Sequence, residues 1–516
     1  MSALRSVSAV LSADLRQRAR TPQLWLLIAG LAVLMWWSFP AANMDYLTVS
    51  FGDRMRGRYS SAWIGMVVAL LYSSSLSLAG FYLVRGTVVR DLETRVWQLL
   101  VATTMSRAGY LMAKWLSHMV IFMLVMSAGL LVGLIMQWLR AEDLHIDLIE
   151  LLKPTVVLTL PSLAVTATMA VWFDLVPWLR RTAGNVVYFI LWAVLLSLGL
   201  SQASNVPGTA TPWPGDQSGV MLAEHDFSQA WSTLDSAKKM GLSIGSQSLK
   251  GKPPVLADWT HWTVNATDLA ARGFWLIVAL ILLAAAVPLL DRFAAHVSRT
   301  ARAPGSGARM QWLEIVLVPL QRSHFGALVA AEIRLALRRR RAWWWLALLV
   351  TLGIQAFAPV EGMAMALVIT WIWVLDIFAR LILREHETRT TELVFTAPAM
   401  RLRLLAARVL VGVGLAWLLA LPTLLRMLLV APHVAAAALV VGLSLVIWGM
   451  AIGALSRNGR LFELLLLAAA YISLQGAWVL NVSVAPLTTL RWHLLLLPLA
   501  LGLLVLGWRG ITTDRR

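Results

Sequence analysis

The sequence predicts an all-helical polytopic membrane protein of about twelve transmembrane helices, arranged as two six-helix halves. Three observations predict it. The composition is strongly apolar, the apolar runs have membrane-spanning length, and one charged segment recurs in the same register in both halves. Of 516 residues, 59% are hydrophobic and only 14% charged, where soluble domains run nearer half and a quarter. Mean hydropathy is +0.73. Such a composition excludes a lone soluble core and the disordered, collagen-like and disulfide-scaffold classes. Cysteine is absent, so disulfides, thiolate metal sites and cysteine nucleophiles are excluded as well.

Taken in chain order, the first element is a helix over about 4–20. Leu4, Val7, Leu11 and Leu15 follow a helical stripe, with Arg5, Ser8, Ser12 and Arg16 elsewhere. That is the pattern of a basic amphipathic helix lying in the membrane interface. Arg16, Arg18 and Arg20 then precede an apolar run from Leu24 to Trp37, followed by Pro40-Ala41-Ala42. This fits either a secretory leader or an uncleaved first span. The run reaches Phe39 without a small-x-small site, which favours the uncleaved span. Spans are expected at about 24–40, 62–84, 109–138, 154–173, 185–202 and 272–290, then at about 343–359, 362–383, 404–425, 434–455, 462–480 and 492–508. Counts of eleven or thirteen also fit.

The net charge of +18 comes from 44 Lys and Arg against 26 Asp and Glu. On a membrane protein, topology explains this excess better than nucleic-acid binding. With both termini cytoplasmic, the inside loops carry Arg85, Arg90, Arg95 and Arg107, then Arg180 and Arg181. The connection 291–341 holds ten arginines and three acids. Arg384, Arg389, Arg401 and Arg403 follow, then Arg457, Arg460, Arg515 and Arg516. The outside loop 139–153 is acidic, with Glu142, Asp143, Asp147 and Glu150, and Glu361 lies on another outside turn. This is the positive-inside distribution. The exception is the first outside loop, with Arg54, Arg56 and Arg58, which Asp45 and Asp53 offset only in part.

The duplication is read from Arg90-Asp91-Leu92-Glu93-Thr94-Arg95 and Arg384-Glu385-His386-Glu387-Thr388-Arg389, at an offset of 294 without a gap. The register continues: Leu99 matches Leu393, Arg107 matches Arg401, and Lys114 corresponds to Arg408. Ala13-Asp14-Leu15-Arg16 similarly echoes Ala331-Glu332-Ile333-Arg334. The domain reading is therefore a first half at 1–290 with interfacial helix 4–20, a basic cytoplasmic linker at 291–323 containing Pro304-Gly305-Ser306-Gly307, and a second half at 324–516 with interfacial helix 324–341. The first half alone carries a long polar insertion at 203–268, read as an extracytoplasmic cap or docking surface for a partner. Within it, 220–240 has helical character.

Both repeated segments join the second and third spans of their half on the inside. Arg90 and Glu93, like Arg384 and Glu387, lie three apart on one helix face. Leu99-Leu100 and Leu393-Val394 would seat the helix against the membrane-proximal core. A soluble partner gripping such a helix would move two spans directly. The alternative is an ordinary inside loop whose similarity is inherited from duplication.

These residues resemble the ABC type-2 export permease family. Its members have an amphipathic elbow helix, six spans, and a cytoplasmic coupling helix between spans two and three. The coupling segment has an acidic residue, a Thr, a Leu pair and Pro-x-Ser/Arg before a basic residue in span three. The second copy matches with Glu387, Thr388, Glu392, Leu393, Pro398, Arg401 and Arg408. The first matches with Glu93, Thr94, Leu99, Leu100, Ser106, Arg107 and Lys114, with Thr104 where the second has Pro398. Neither copy has the Gly often found before the Thr. The resemblance implies a transport subunit, not an enzyme, that exports its substrate across a bacterial cytoplasmic (inner) membrane. It implies coupling to two copies of an ABC ATPase subunit through Arg90, Glu93, Thr94, Arg95, Leu99, Arg384, Glu387, Thr388, Arg389 and Leu393. The chain lacks a G-x-x-x-x-G-K-[ST] phosphate loop; Gly245 to Gly251-Lys252-Pro253 has the wrong spacing. ATP and Mg would therefore belong to the partner subunits, with no cofactor in this chain.

Intramembrane polar groups form a second set of expectations. Asp376 is read as paired with Arg380 near the inner surface. His118 is read as a packed polar residue in span three rather than a ligand. Ser73, Ser74 and Ser77, with Ser75, either line a pathway or allow close helix packing. Most of the Trp residues are read as interfacial anchors. Glu224-His225-Asp226 with His261 fits no standard metal spacing, and no metal site is expected. Membrane lipid is the remaining expected partner, and no nucleic acid. Two other functions share the span count. One is a secondary transporter of the major-facilitator plan, against which stand the missing Gly-x-x-x-Asp-Arg signature and the interfacial helix at each half. The other is a polytopic membrane transferase, for which only His225, Asp226 and His261 offer acid–base groups.

Overall fold

The structure is a computed structural model. It describes residues 3–41, 44, 46–52, 54–94, 96, 105–180, 182–205, 216–231, 241–249, 252–290, 311–337, 340, 342–388, 390–396, 399–474 and 477–513. The expectations for Arg95, Leu99, Arg181, Pro304–Gly307, Arg389 and Pro398 lie outside these residues. The chain divides into two compact units, Met1–Ala303 and Pro304–Arg516. Among the described residues, eight helices are long and apolar enough to cross a membrane, and a ninth span results if one bent helix pair is counted together. The chain is thus helical with the character of a membrane-embedded protein.

Unit 1 opens with α1 (Ala3–Ala19) and α2 (Pro22–Trp37), which meet at 72°. Pro22 sets the bend. It pushes the preceding residue out of helical space, and Thr21 sits at φ −91° and ψ 129°. Strands β1 (Tyr46–Phe51) and β2 (Met55–Gly57) follow, then α3 (Ser61–Leu71) and α4 (Ser77–Val84) as one long rod with a single π-helical turn at Tyr72–Leu76. Gly86, at φ +91°, makes a left-handed turn that favours glycine. It leads into the short α5 (Thr87–Glu93). Helix α6 (Arg107–Arg140) is capped by the Ser106 hydroxyl, which accepts from the Gly109 N–H. A second rod comprises α7 (Leu148–Pro154), a π-turn at Thr155–Thr159 and α8 (Leu160–Leu175). The unit ends with α9 (Thr182–Asn205), α10 (Val220–Ala230), β3 (Leu242–Ser248), β4 (Val255–Ala257) and α11 (Ala266–Ala286), which an Asn265/Asp268 capping box opens.

The expected all-helical class needs correction in unit 1. Four strands form one sheet in the order β3-β1-β2-β4, with β2 and β4 parallel and the other pairings antiparallel. The sheet joins the first loop to the late insertion. It closes over an aromatic core in which Trp63, Phe227, Trp231 and Trp259 are all buried, with Phe227 and Trp231 stacked at 5.3 Å. The cap also explains the arginine-rich first loop. Arg56 is buried and forks onto Glu142 at 2.8 and 2.5 Å, and Arg58 pairs with Asp258 at 3.1 Å. These arginines answer to acids of other segments rather than to a topology rule.

Helix α6 relates the two ends of unit 1. Its residue Gln137 hydrogen-bonds Ser61 and the carbonyls of Asp143 and His145 beneath the cap. Its residue Lys114 lies in a charged cluster near the other end. At 1.5 Å per residue they stand about 34 Å apart, close to the roughly 30 Å of a hydrocarbon core.

Unit 2 begins with α12 (Gln311–Leu317), a 3-10 turn at Pro319–Arg322, and α13 (His324–Leu337). Part of the expected linker is therefore ordered helix: Leu313 and Leu317 pack on Ala330 of α13. Helices α14 (Ala342–Phe357), α15 (Val360–Trp373), α16 (Leu375–Arg380), α17 (Arg384–Thr388) and α18 (Thr391–Val394) follow. The remainder is α19 (Met400–Leu419), α20 (Leu421–Val430), α21 (Pro432–Ser456), α22 (Arg460–Leu474) and α23 (Pro486–Thr513). Between α14, α15 and α20, buried Gln355 donates to Thr370 at 2.8 Å and accepts from Thr423 at 2.9 Å, which ties the three helices together.

Candidate functional site

The two repeated segments each build a buried charged node, from the same three kinds of element. In unit 1, Asp14 projects from α1, Asp91 from α5 and Lys114 from the first turns of α6. The Lys114 ammonium lies 3.2 Å from Asp14 and 2.8 Å from Asp91. Asp14 also takes Arg18 Nε at 3.0 Å and the Ser117 hydroxyl, and Asp91 takes the Tyr110 hydroxyl at 2.8 Å. Burial alone would raise the Asp14 carboxyl. The charges of Arg18 and Lys114 and the Ser117 bond outweigh it and hold the group well below the usual carboxylate range. Arg18 spends its other nitrogens on the carbonyls of Leu83 and Val84, at 3.3 and 2.9 Å. Those are orphan acceptors at the C-terminus of α4, where a cation is favoured.

In unit 2, Glu332 projects from α13, Glu385 from α17 and Arg408 from α19. Arg408 is fully buried. It reaches Glu332 at 3.4 Å and pairs closely with Glu385. Arg384 of α17 pairs with Glu332 at 2.5 Å. Each node thus holds two carboxylates and two cations. Asp91 and Glu385, like Lys114 and Arg408, are related by the same offset of 294. Thr94 and Thr388 repeat each other too: each hydroxyl donates to the carbonyl four residues back, Arg90 or Arg384, at 2.8 Å.

The geometry separates two roles that the sequence had merged. Asp91 and Glu385 turn inward to the node. Arg90, Thr94, Glu387, Thr388 and Leu393 are exposed; of Glu93 only the backbone is described. The expectation that Leu393 seats the segment against the core is overturned, since Leu393 is 79% exposed. Phe395 does the seating, edge-on to Trp508 at 5.3 Å, and leaves Leu393 outward. Arg384 is likewise half-buried against Glu332 rather than sharing an open face with Glu387. The node acids and the base between them escaped the sequence reading as site residues. Their signal was present in the exchange of like for like between the halves: Asp14 for Glu332, Asp91 for Glu385, Lys114 for Arg408.

At the turn into α5, Asp174 at the end of α8 accepts from the Gly86 N–H at 2.8 Å and the Val88 N–H at 3.1 Å. Gly86 has no side chain with which to cap α5, and the carboxylate from the neighbouring rod supplies it.

The polar residues expected within the membrane have local partners. Ser73 contacts Thr159 at 3.5 Å across the two facing π-turns, and its carbonyl accepts from Ser162. Ser74 and Ser75 bond carbonyls three and four residues back, and Ser77 bonds that of Ser74. His118 is buried with Nε2 at 3.2 Å from the Thr87 hydroxyl. Asp376 pairs with Arg340 at 2.8 Å, not with Arg380 as expected; Arg380 is exposed. Arg340, just ahead of α14, is aligned by the Trp344 ring at 5.1 Å. In the cap, Asp226 accepts from Trp259, His225 meets Gln229, and His261 meets Glu150 at 2.6 Å. Among the described residues no three His, Asp or Glu side chains share a place for an ion.

No family model, no curated protein and no solved structure matches this chain.

Proposed function

We propose that the chain is the membrane-spanning permease subunit of an ATP-binding-cassette exporter, with two permease halves fused in tandem. In this reading each unit contributes an elbow helix and six spans. Helices α2, α9, α14 and α22 complete the twelve with the longer apolar ones. Both termini and both repeated segments face the cytoplasm of a bacterial inner membrane, and the cap faces away from it. The chain itself hydrolyses nothing. Two ATPase subunits seat on the outward faces of the segments at Thr94 and Thr388.

The observation that carries this reading is the recurrence of the node. A short helix is tied by buried ion pairs to the next span and, directly or through that span's cation, to an elbow helix, once in each unit. An element pushed from outside would drag both attached helices with it, because a buried pair is costly to break. A protein needs such a device when the force is generated elsewhere and must bias two packings of its spans.

The test is co-expression with candidate ATPase subunits and purification of the complex. Reversing charge at Glu93 and Glu387, or placing Asp at Leu393, should remove ATPase co-purification while membrane insertion and thermal stability persist. Glu385→Gln should do the reverse, keeping the partner but losing transport-linked hydrolysis. Retained coupling after either of the first two changes, or Thr94 and Thr388 mapping to opposite sides of the bilayer, would sink the proposal.

A further inference from the structure

Unit 2 carries an exposed apolar surface on α12. Helix α12 buries Leu313 and Leu317 against Ala330, with Ile333 and Leu337 beside them. Its other side is apolar too: Ile315 is 73% exposed, Val316 60% and Val318 56%, with Leu320 and Phe325 also open. At 100° per residue, Leu313 and Ile315 point nearly opposite ways. A short helix apolar on two opposite sides has one apolar side left over once the other is packed. The acid of α12 is already used, because Glu314 pairs with Arg334 at 2.8 Å. Helix α1 differs. Among its described side chains Arg5, Ser8, Ala9, Ser12, Ala13, Arg16, Gln17 and Ala19 are exposed, while Val7, Val10, Leu11 and Leu15 are half-buried.

We propose that residues 311–322 are a second interfacial anchor of unit 2, with Ile315, Val316 and Val318 inserted at the headgroup–acyl boundary on the side of the bilayer where the unit 2 node lies. The occupant of this surface is lipid, for two reasons. The segment packs on α13, and the next described helix, α14, also turns Leu346, Leu349 and Val350 outward, so the apolar surface of α12 is followed in the chain by that of a helix read as a span. Exposed Arg322, at the end of the segment, suits anionic headgroups. The inference rests on the membrane placement of unit 2, not on ATPase docking.

The absence of cysteine makes single labels clean. Ile315→Cys and Val316→Cys are labelled with an environment-sensitive fluorophore in the full chain. The protein is reconstituted without partners into phosphatidylcholine–phosphatidylglycerol vesicles. Leu349→Cys serves as the lipid reference and Thr388→Cys as the aqueous one. The expected result is blue-shifted emission at both α12 sites, quenched by a phosphatidylcholine nitroxide-labelled high on its acyl chain as strongly as at Leu349→Cys. Emission like that of Thr388→Cys would overturn the proposal. So would blue-shifted emission that the lipid quencher leaves untouched, since protein would then cover the surface. Because no ATPase is present, failure here leaves the permease reading where it stood.

Discussion

The two charged nodes hold the same charges but wire them differently. In unit 1 the second cation is Arg18, one turn along the elbow helix from Asp14, and it also grips the end of α4. The exposed segment reaches the elbow only through a relay, from Asp91 to Lys114 to Asp14. In unit 2 the second cation is Arg384, on the segment itself. Segment and elbow are joined directly by Arg384 and Glu332, and again through Arg408. The register-equivalent Arg90 is exposed. The difference teaches that duplication kept the charge balance and not the individual bonds. One unit has a relayed linkage and the other a double one.

The largest break in this comparison should come from the elbow acids. Glu332→Ala leaves fully buried Arg408 with Glu385 alone and should cost roughly 3–5 kcal/mol in thermal or denaturant unfolding. Asp14→Ala should cost less, on the order of 2 kcal/mol, because Arg18 keeps two carbonyls and Lys114 keeps Asp91. An equal loss in both would erase the distinction. A double-mutant cycle sharpens it. Arg384 with Glu332 should show a coupling of about 1–3 kcal/mol, while the equivalent pair Arg90 with Asp14 should show under about 0.5 kcal/mol.

The cap gives a further contrast, since it belongs to unit 1 alone. Burial acts to raise Glu142, but its bonds from Arg56 and the Tyr59 N–H prevail and hold it below its ordinary 4.5. Its stabilisation is present above pH 4.5 and is lost as pH falls beneath that value. Burial raises Glu224 to about 7 and Asp226 to about 6. These two favour the folded cap while protonated; that advantage is full below their ordinary values of 4.5 and 3.8 and is lost as pH rises through about 7 and about 6. Hydrogen exchange of β1 and β2, corrected for intrinsic rates, should be slowest near pH 4.5 and should lose its alkaline limb in Glu224→Gln/Asp226→Asn. The smallest effect belongs to Asp376. Arg340→Ala should change unfolding free energy by at most about 1 kcal/mol, because the pair is partly exposed. Arg380→Ala should change it less still.

Most helices were legible because an apolar run of span length has few alternatives in a 59% hydrophobic chain. The duplicated segments were legible because charge in an apolar chain is rare enough to align. The sheet was not. Its strands β2 and β4 have three residues each, too few for a period of two to emerge, and its partners are far apart in sequence. Asp376 was assigned to Arg380 by the rule of four-residue spacing, which describes isolated helices. Packing brought Arg340 instead. For the candidate site, the repeated motif located the right segment but pointed at Glu93 and Glu387. The inward acids stand two residues earlier, and only a fold that places the elbow helix beside them gives them a partner.

The sheet has a consequence for how the polypeptide is made. Residues 52–241 separate β1 from β3, and a ribosome takes roughly 10–40 s to add that many. The β1–β2 hairpin therefore emerges long before the strands that flank it on either edge exist. During that interval Arg56 can already find Glu142, which arrives early. The backbone edges of β1 and β2 stay open to whatever else offers a strand.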